Sequence, residues 1–547
     1  MPDAARSVLF TGGSVFDGHR YLPGHSLLVD DGNVAAVLSA VDLDALDRSD
    51  HDVVDLAGGL VSPGFTDAHI HPIQGGLERM QCDLTDGGTR EEYLGLVRGY
   101  AAGYNGEWIT GGGWQMAAFP GGTPSAADLD AVVPDRPVFL PNRDHHGGWV
   151  NSRALELAGI TAETPDPPDG RIERLPDGRP QGTLHEGARN LVAKLLPLPE
   201  QAEYAAGLVE GQRYLFSLGV TAWQDAIVGA YAGMADTAST YTEAVSNGDL
   251  VADVVGALWW DRDLGLAQIP DLVERRRAQS GGRYRATSVK IMQDGVCENY
   301  TAAMLTPYLD GHGGATENSG HSFVEAEELK GVVTALAAEG FQVHVHAIGD
   351  RGVREALDAF AAARSAGHAG DLRHHIAHIQ VIHPEDVPRF AELGVAANAQ
   401  ALWATHEPQM DDLTIPYLGQ ERAAWQYPFG DLVRTGARLV MGSDWPVSTP
   451  DPLAAIHTAV TRTSYDDPRE ALFARQAVDL TTAFAAYTSG SAWVNGRDRT
   501  DGGGVLAPGH VADLAVLDRD PFAGPPEEIG ATRVTSTWVR GRAVFGT

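Results

Sequence analysis

Basic residues are scarce in this chain of 547 residues. Forty Lys and Arg stand against 73 Asp and Glu, for a formal net charge of −33. Binding to phosphate needs a basic face, so nucleic acid and anionic membrane are excluded as expected partners. Only three residues are lysines, Lys194, Lys290 and Lys330, which makes each of them conspicuous. Cysteine is rarer still. Cys82 and Cys297 cannot build a disulfide framework or a Cys-rich zinc site. No apolar run approaches the length of a bilayer span, and the opening MPDAARSVLF lacks a basic stretch followed by an apolar one. The expectation is a soluble, cytoplasmic protein. Hydrophobic residues make up 43% of the chain, enough for a large core, and the length suits a large domain plus at least one smaller one.

Both ends of the chain read as short strands punctuated by Gly and Asp: SVLFTGGSVFDG, SLLVDDGNVAAVL and DVVDLAGGLVSPG at the start, VADLAVLDRD and TRVTSTWVRGRAVF at the finish. They predict one small β-sandwich built from residues 1–63 and 500–547. The middle, residues 64–499, alternates strands with helical patterns such as EAEELKGVVTALAAEG and RGVREALDAFAAARSAG. The strand candidates are GFTDAHIHP, GVTAWQDA, VADVVGALWW, ATSVKIMQDG, FQVHVHAIGD, RHHIAHIQV, GVAANAQAL and ARLVMGSDWPV. Eight such units predict an α/β fold, a (β/α)8 TIM-like barrel. The first two strands lie too far apart for one helix, so residues 80–200 are read as an insertion forming a pocket wall. A hairpin is expected in it around Pro176-Asp177-Gly178.

In a barrel of parallel strands the chemistry sits at the C-terminal strand ends. The first strand, GFTDAHIHP, carries two histidines one residue apart. Strict alternation would put Asp67, His69 and His71 on one face, with Phe65 deeper on that face and Thr66, Ala68 and Ile70 on the other. The fourth strand turns Val289 and Ile291 toward the helices and Lys290 inward. The fifth turns Phe341, Val343 and Val345 outward and Gln342, His344 and His346 inward. The sixth ends with His378 and the eighth with Asp444. Each has a plain alternative: Lys290 as a salt-bridged core residue, Asp444 as a helix cap, and His344, His374 and His375 as supporting groups. Side chains of this kind at five strand ends of one barrel nevertheless form a set suited to zinc and related ions.

The pattern resembles the amidohydrolase superfamily of metal-dependent hydrolases, in its YtcJ-like subgroup, which includes N-substituted formamide deformylases. The motifs GGGWQMAAFPGG, LDAVVPDRPVFL, DHHGGWVNSRALELAGI, GTLHEGA, HVHAIGDRGV, GSDWPV and LAPGHVADLAVLDRDP carry the likeness over nearly the whole chain. The resemblance implies a metal set of His69, His71, Lys290, His346, His378 and Asp444, with Lys290 carboxylated. An ammonium cannot ligate a cation, whereas a carbamate can, and burial supplies the neutral amine that reaction needs. Asp444 is the expected proton shuttle. The expected cofactor is a divalent metal, zinc, as one or two ions. Trp114 and His146 of the insertion and Trp403 of the barrel are candidate substrate-binding residues.

Two features depart from the subgroup. Ala377 precedes His378 where an acid is usual, and NAQALWATHEPQ replaces a Gln-Pro stretch, bringing Trp403 and His406 to the mouth. The implied reaction is hydrolysis of a non-peptide C–N bond in an N-acyl or N-formyl amine. Lactone, ester or cyclic-amide hydrolysis on the same metal site, or a catalytically silent metal-binding protein, are the alternatives. The expected partner is a small-molecule substrate, and the reading leaves room for a homodimer.

Overall fold

The computed structural model describes residues 7–231, 234–368 and 370–546. Its centre is an eight-stranded parallel sheet whose strands follow chain order. We label them β1 (Phe65–Ile70), β2 (Val220–Val228), β3 (Asp253–Trp259), β4 (Tyr284–Met292), β5 (Gln342–Ala347), β6 (His375–His378), β7 (Ala396–Ala399) and β8 (Leu439–Met441). The sheet curls into a nearly closed barrel. Its seam is bridged just beyond β8, where Asp444 N donates to His69 O at 2.8 Å and Ser443 N donates to the Asp67 carboxylate at 3.1 Å.

Alternation decides the two faces of β4 and β5. Val289, Ile291, Val343 and Val345 are fully buried in the core that the strands share with helices such as Ala326–Ala338, which contributes Leu329, Val332, Val333 and Leu336. Each such side chain contributes roughly 1.5–3 kcal/mol when taken from water. The opposite faces carry Lys290, Gln342, His344 and His346, all buried.

Strict alternation fails in β1. Its register against β2 slips between the pair Asp67–Trp223 and the pair Ile70–Asp225, so β1 accommodates one extra residue as a bulge. Phe65 packs on Phe484 and Tyr487, within the core shared with the helices, while Ala68 joins Ala396, Val440 and Val494. The expected shared face of Phe65 and Asp67 with the histidines is therefore corrected. The bulge returns His69 and His71 to the cavity.

Three more sheets surround the barrel. One six-stranded sheet combines both termini, in the order Arg542–Phe545, Val534–Val539, Leu514–Leu517, Leu60–Pro63, Ser14–Phe16, Tyr21–Leu22. A four-stranded sheet (Asn33–Leu38, Ser26–Asp30, Val8–Thr11, Asp52–Asp55) shares with it a core that includes Phe10, Val15, Leu27, Val61 and Leu514. The insertion forms a separate six-stranded sheet from Cys82–Asp83 to Pro180–Glu186. Its hairpin, Gly170–Arg174 against Pro180–Glu186, turns through Gly178 at φ 86°, a left-handed conformation open to glycine. Among the described residues no helix is long and apolar enough to cross a membrane.

Candidate metal centre and active-site cavity

A cavity of about 550 Å³ opens where the barrel strands end and the insertion leans over them. Its lining includes all six side chains that the strand ends offer: His69, His71, Lys290, His346, His378 and Asp444. His71 Nε2 lies 3.0 Å and His69 Nε2 3.1 Å from Asp444 Oδ1. The ligand atoms that His69, His71 and Asp444 present all fall within 4.8 Å of one another. His378 Nδ1 is 3.8 Å from Asp444 Oδ2 and is buried with no hydrogen-bond partner. Lys290 Nζ sits 3.5 Å from His69 Nε2, and no carboxylate among the described residues pairs with it. The salt-bridged alternative for Lys290 therefore has no counterpart here. Burial pushes its ammonium down to about 7.

A chain of amides beneath the site fixes the tautomer of His69. Gln342 Nε2 donates to the carbonyls of Arg373 and Val494, at 2.9 and 2.7 Å. Its Oε1 is thereby the atom that accepts from Gln224 Nε2 at 2.9 Å. Gln224 Oε1 then faces His344 Nδ1 at 2.7 Å and His375 Nε2 at 3.0 Å. An amide oxygen only accepts, so both imidazoles donate to it. His344 Nε2 is left to accept from His69 Nδ1 at 2.8 Å. The bare nitrogen of His69 is Nε2, the one beside Asp444 and Lys290.

Two acceptor atoms 3.1 Å apart, His69 Nε2 and Asp444 Oδ1, repel unless a cation shares them. Together with the orphaned His378 nitrogen and the mixture of imidazole and carboxylate donors, this fits a divalent ion. Burial, reinforced by Lys290, pushes His69 down to about 3, which keeps its lone pair free. His346 lies at the same level. Its Nε2 is 3.6 Å from Asp294 Oδ1, a buried carboxylate fixed by the backbone N–H groups of Ala303, Ile348 and Gly349. His344 lies below the cavity lining as a support of His69, and His374 is turned away, its Nδ1 accepting from Val343 N and its ring stacked on Phe360.

The insertion supplies the other half of the cavity. His146 lines it, with Nδ1 2.8 Å from Glu186 Oε2. Glu186 Oε1 accepts from Thr301 Oγ1 at 2.7 Å. Burial works against the charge on His146, but Glu186 outweighs it and raises the imidazole above its ordinary value. Trp403 also lines the cavity and stacks on His378, with ring centroids 5.5 Å apart and planes 8° from parallel. Trp114 does not reach the cavity. It is fully buried in the insertion core against Phe119 and Trp149, and its Nε1 donates to Leu140 O. Its expected substrate contact is corrected: its apolar surface serves to pack the insertion.

Sequence reasoning passed over several lining residues. Arg143, His145 and Arg189 come from the loop before Gly147–Val150 and from the turn Gly187–Arg189. The sequence signal was the motif pair DHHGG and GTLHEGA, since the backbone joins them where Glu186 N donates to His146 O at 2.8 Å.

The sequence profile of the amidohydrolase family matches residues 52–545. The chain belongs to this family. The putative amidohydrolase YtcJ of Bacillus subtilis is 27% identical to it over 90% of this chain and 90% of its own. An N-substituted formamide deformylase of Arthrobacter pascens is 28% identical over 94% of each chain. The crystal structure of an uncharacterized metal-dependent hydrolase from Pyrococcus furiosus superimposes with a TM-score of 0.69 at 26% identity, covering 94% of this chain and 99% of that one. This amidohydrolase is thus a hydrolase of a metal-dependent superfamily, and the cavity at its barrel mouth has the donors to match.

Proposed function

We infer that this amidohydrolase cleaves the amide C–N bond of an N-acyl or N-formyl amine, with zinc, as one or two ions, its resident metal. The observation that carries the reading is the meeting of four histidines, Lys290 and Asp444 in one cavity, with His69 Nε2 and Asp444 Oδ1 left as facing acceptors. The likeness to the N-substituted formamide deformylase of Arthrobacter pascens supports the formamide class. His69, His71, His346, His378 and Asp444 would hold the metal. Lys290 would join them after its neutral amine adds CO2 and releases a proton, forming a carbamate. The chemistry a divalent ion supplies there is polarisation of the substrate carbonyl and acidification of water.

Asp444 removes a proton from the attacking water through its carboxylate and returns it to the departing nitrogen. His71 Nε2, 3.0 Å from the same carboxylate oxygen, would share the ion with Asp444 and so keep the carboxylate in place. His146, held by Glu186, donates toward the substrate, and Trp403 forms a flat apolar wall beside His378. The same reading takes residues 1–63 with 500–547 as a β-sandwich domain beside a barrel domain of 64–499, whose 80–200 insertion walls the pocket.

Elemental analysis of purified protein should find zinc, and exhaustive chelation should abolish hydrolysis of N-substituted formamides. Full activity with less than about a tenth of an equivalent of metal would refute the reading. A panel of amides, esters and lactones at equal concentration tests the bond, and faster turnover of a lactone or ester would move the assignment there.

A further inference from the structure

Among the described residues five arginines are buried: Arg189, Arg373, Arg422, Arg462 and Arg497. A buried cation is costly unless its N–H groups are met. Arg497 meets Asp513 at 2.6 Å, and Arg373 meets Asp498. Arg422 donates to the carbonyls of Leu418, Thr306 and Pro307, and Arg462 to those of Leu472 and Tyr427. Arg189 differs from all four. Arg373, Arg462 and Arg497 also leave a guanidinium nitrogen unmet, but each has other partners, whereas no described residue makes a hydrogen bond or ion pair with the Arg189 side chain, which is 7% exposed. The nearby carboxylate, Glu186, is already engaged by His146 and Thr301. Arg189 is also the one of the five that lines the catalytic cavity.

Apolar side chains form part of the wall around it. Gly148 lets Phe139 and Arg189 approach, since a Cβ there would stand 3.1 Å from the Phe139 ring and 3.4 Å from Arg189 Cγ. Ala193 and Leu196 follow Arg189 in the chain and line the cavity too. A guanidinium fork matches a carboxylate in a bidentate pair.

We propose that Arg189 binds a carboxylate on the amine half of the substrate, so that the cavity takes an N-acyl amino acid with an apolar side chain. The proposal rests on the amide-hydrolase reading for the acyl half and adds the partner that Arg189 lacks. It distinguishes this chain's substrate from a neutral N-substituted formamide.

The test uses two probes that differ only in that group, N-formylphenylalanine and N-formylphenethylamine. Isothermal titration of the metal-loaded protein should show the carboxylate probe binding at least tenfold more tightly. Arg189→Gln should erase that preference while binding the neutral probe as the wild type does, and Arg189→Lys should keep part of it. Equal affinities in the wild type, absence of binding by both probes, or a preference that survives in Arg189→Gln would overturn the proposal. Hydrolysis is followed in parallel. Carboxylate-selective binding without turnover of either probe would sink the C–N hydrolase reading and leave the Arg189 site standing. Turnover of both probes at equal efficiency would do the reverse.

Discussion

The two halves of the cavity are built by different means. The barrel half hangs on strand ends whose side chains are braced from below, as the path Gln342–Gln224–His344–His69 shows. The insertion half hangs on loops and a turn, and it holds charge: His146 with Glu186, Arg143, and the unpartnered Arg189. Bracing suits groups that must keep a lone pair aimed at one point. Loop-borne charge suits recognition, because its geometry can vary without disturbing the barrel. On the proposed function, chemistry falls to the braced half and selection to the loop-borne half, and the two halves should respond unequally to substitution.

The largest effect is expected at Asp444. Asp444→Asn keeps the shape but removes the proton acceptor, so kcat should fall about 100- to 10,000-fold while the far-ultraviolet circular dichroism is unchanged. A loss below about threefold, well under that range, would show that another group moves the proton and would blur the division between halves. Next comes Gln224, fully buried and outside the cavity lining. Gln224→Leu removes the acceptor that sets the His344 tautomer, and metal affinity should fall about 10- to 100-fold, as for other supporting partners of metal-binding histidines. Competition with a chromogenic chelator reads this directly. Unchanged affinity would mean that His69 keeps its orientation without the amide path.

How much of this could be read in the sequence follows from the same contrast. Alternation with period two is a strong code, so the strands, their order and the inward set on β4 and β5 were legible. It broke at β1, where the register slips and Phe65 and Ala68 exchange their expected faces, and no pattern of residue types announces a bulge. The insertion was less legible still. His145 and Glu186 adopt φ of 61° and 49°, conformations uncommon for residues other than glycine, so the left-handed positions in the turns that aim His146 and Arg189 are not themselves marked by glycine. Trp114 illustrates the converse. A tryptophan in a Gly-rich stretch can face a ligand or a core, and only the fold shows that Phe119 and Trp149 surround it. At the barrel mouth His378 and Asp444 also have positive φ, 77° and 57°. Their place at strand ends marks them as candidate ligands, while their residue types give no sign of that backbone.

The insertion half sharpens the comparison through Glu186. Glu186→Gln keeps a hydrogen bond to His146 but removes the charge, and a hydrogen bond to a charged group is worth about 1.5–3 kcal/mol. The expected outcome is a rise in KM of about tenfold, since about 1.4 kcal/mol is one decade, with metal content unchanged. A loss confined to kcat would place His146 with the chemistry of the barrel half.

The smallest effect is expected in the insertion hairpin. Glu173 Oε1 is 3.0 Å from His185 Nε2 and is also paired with Arg171. Burial opposes its ionisation, but His185 and Arg171 outweigh burial and lower the carboxyl from 4.5 to about 2. A carboxyl lowered in the folded state adds stability above the unfolded value and loses it as pH falls toward the folded one. The contribution is therefore complete above about pH 4.5 and fades toward about pH 2. The Glu173 side chain is 23% exposed, so solvent screening reduces the gain to about 1 kcal/mol. Glu173→Gln should cost about that much in urea unfolding at pH 6, with the gap to wild type narrowing progressively below pH 4.5. Amide exchange should quicken in the hairpin and not in β4 or β5, and kcat should stay as it was. A constant gap at every pH would mean that shape rather than charge holds the hairpin. A fall in kcat would show that the two halves are mechanically joined, and the separation of chemistry from selection would have to be given up.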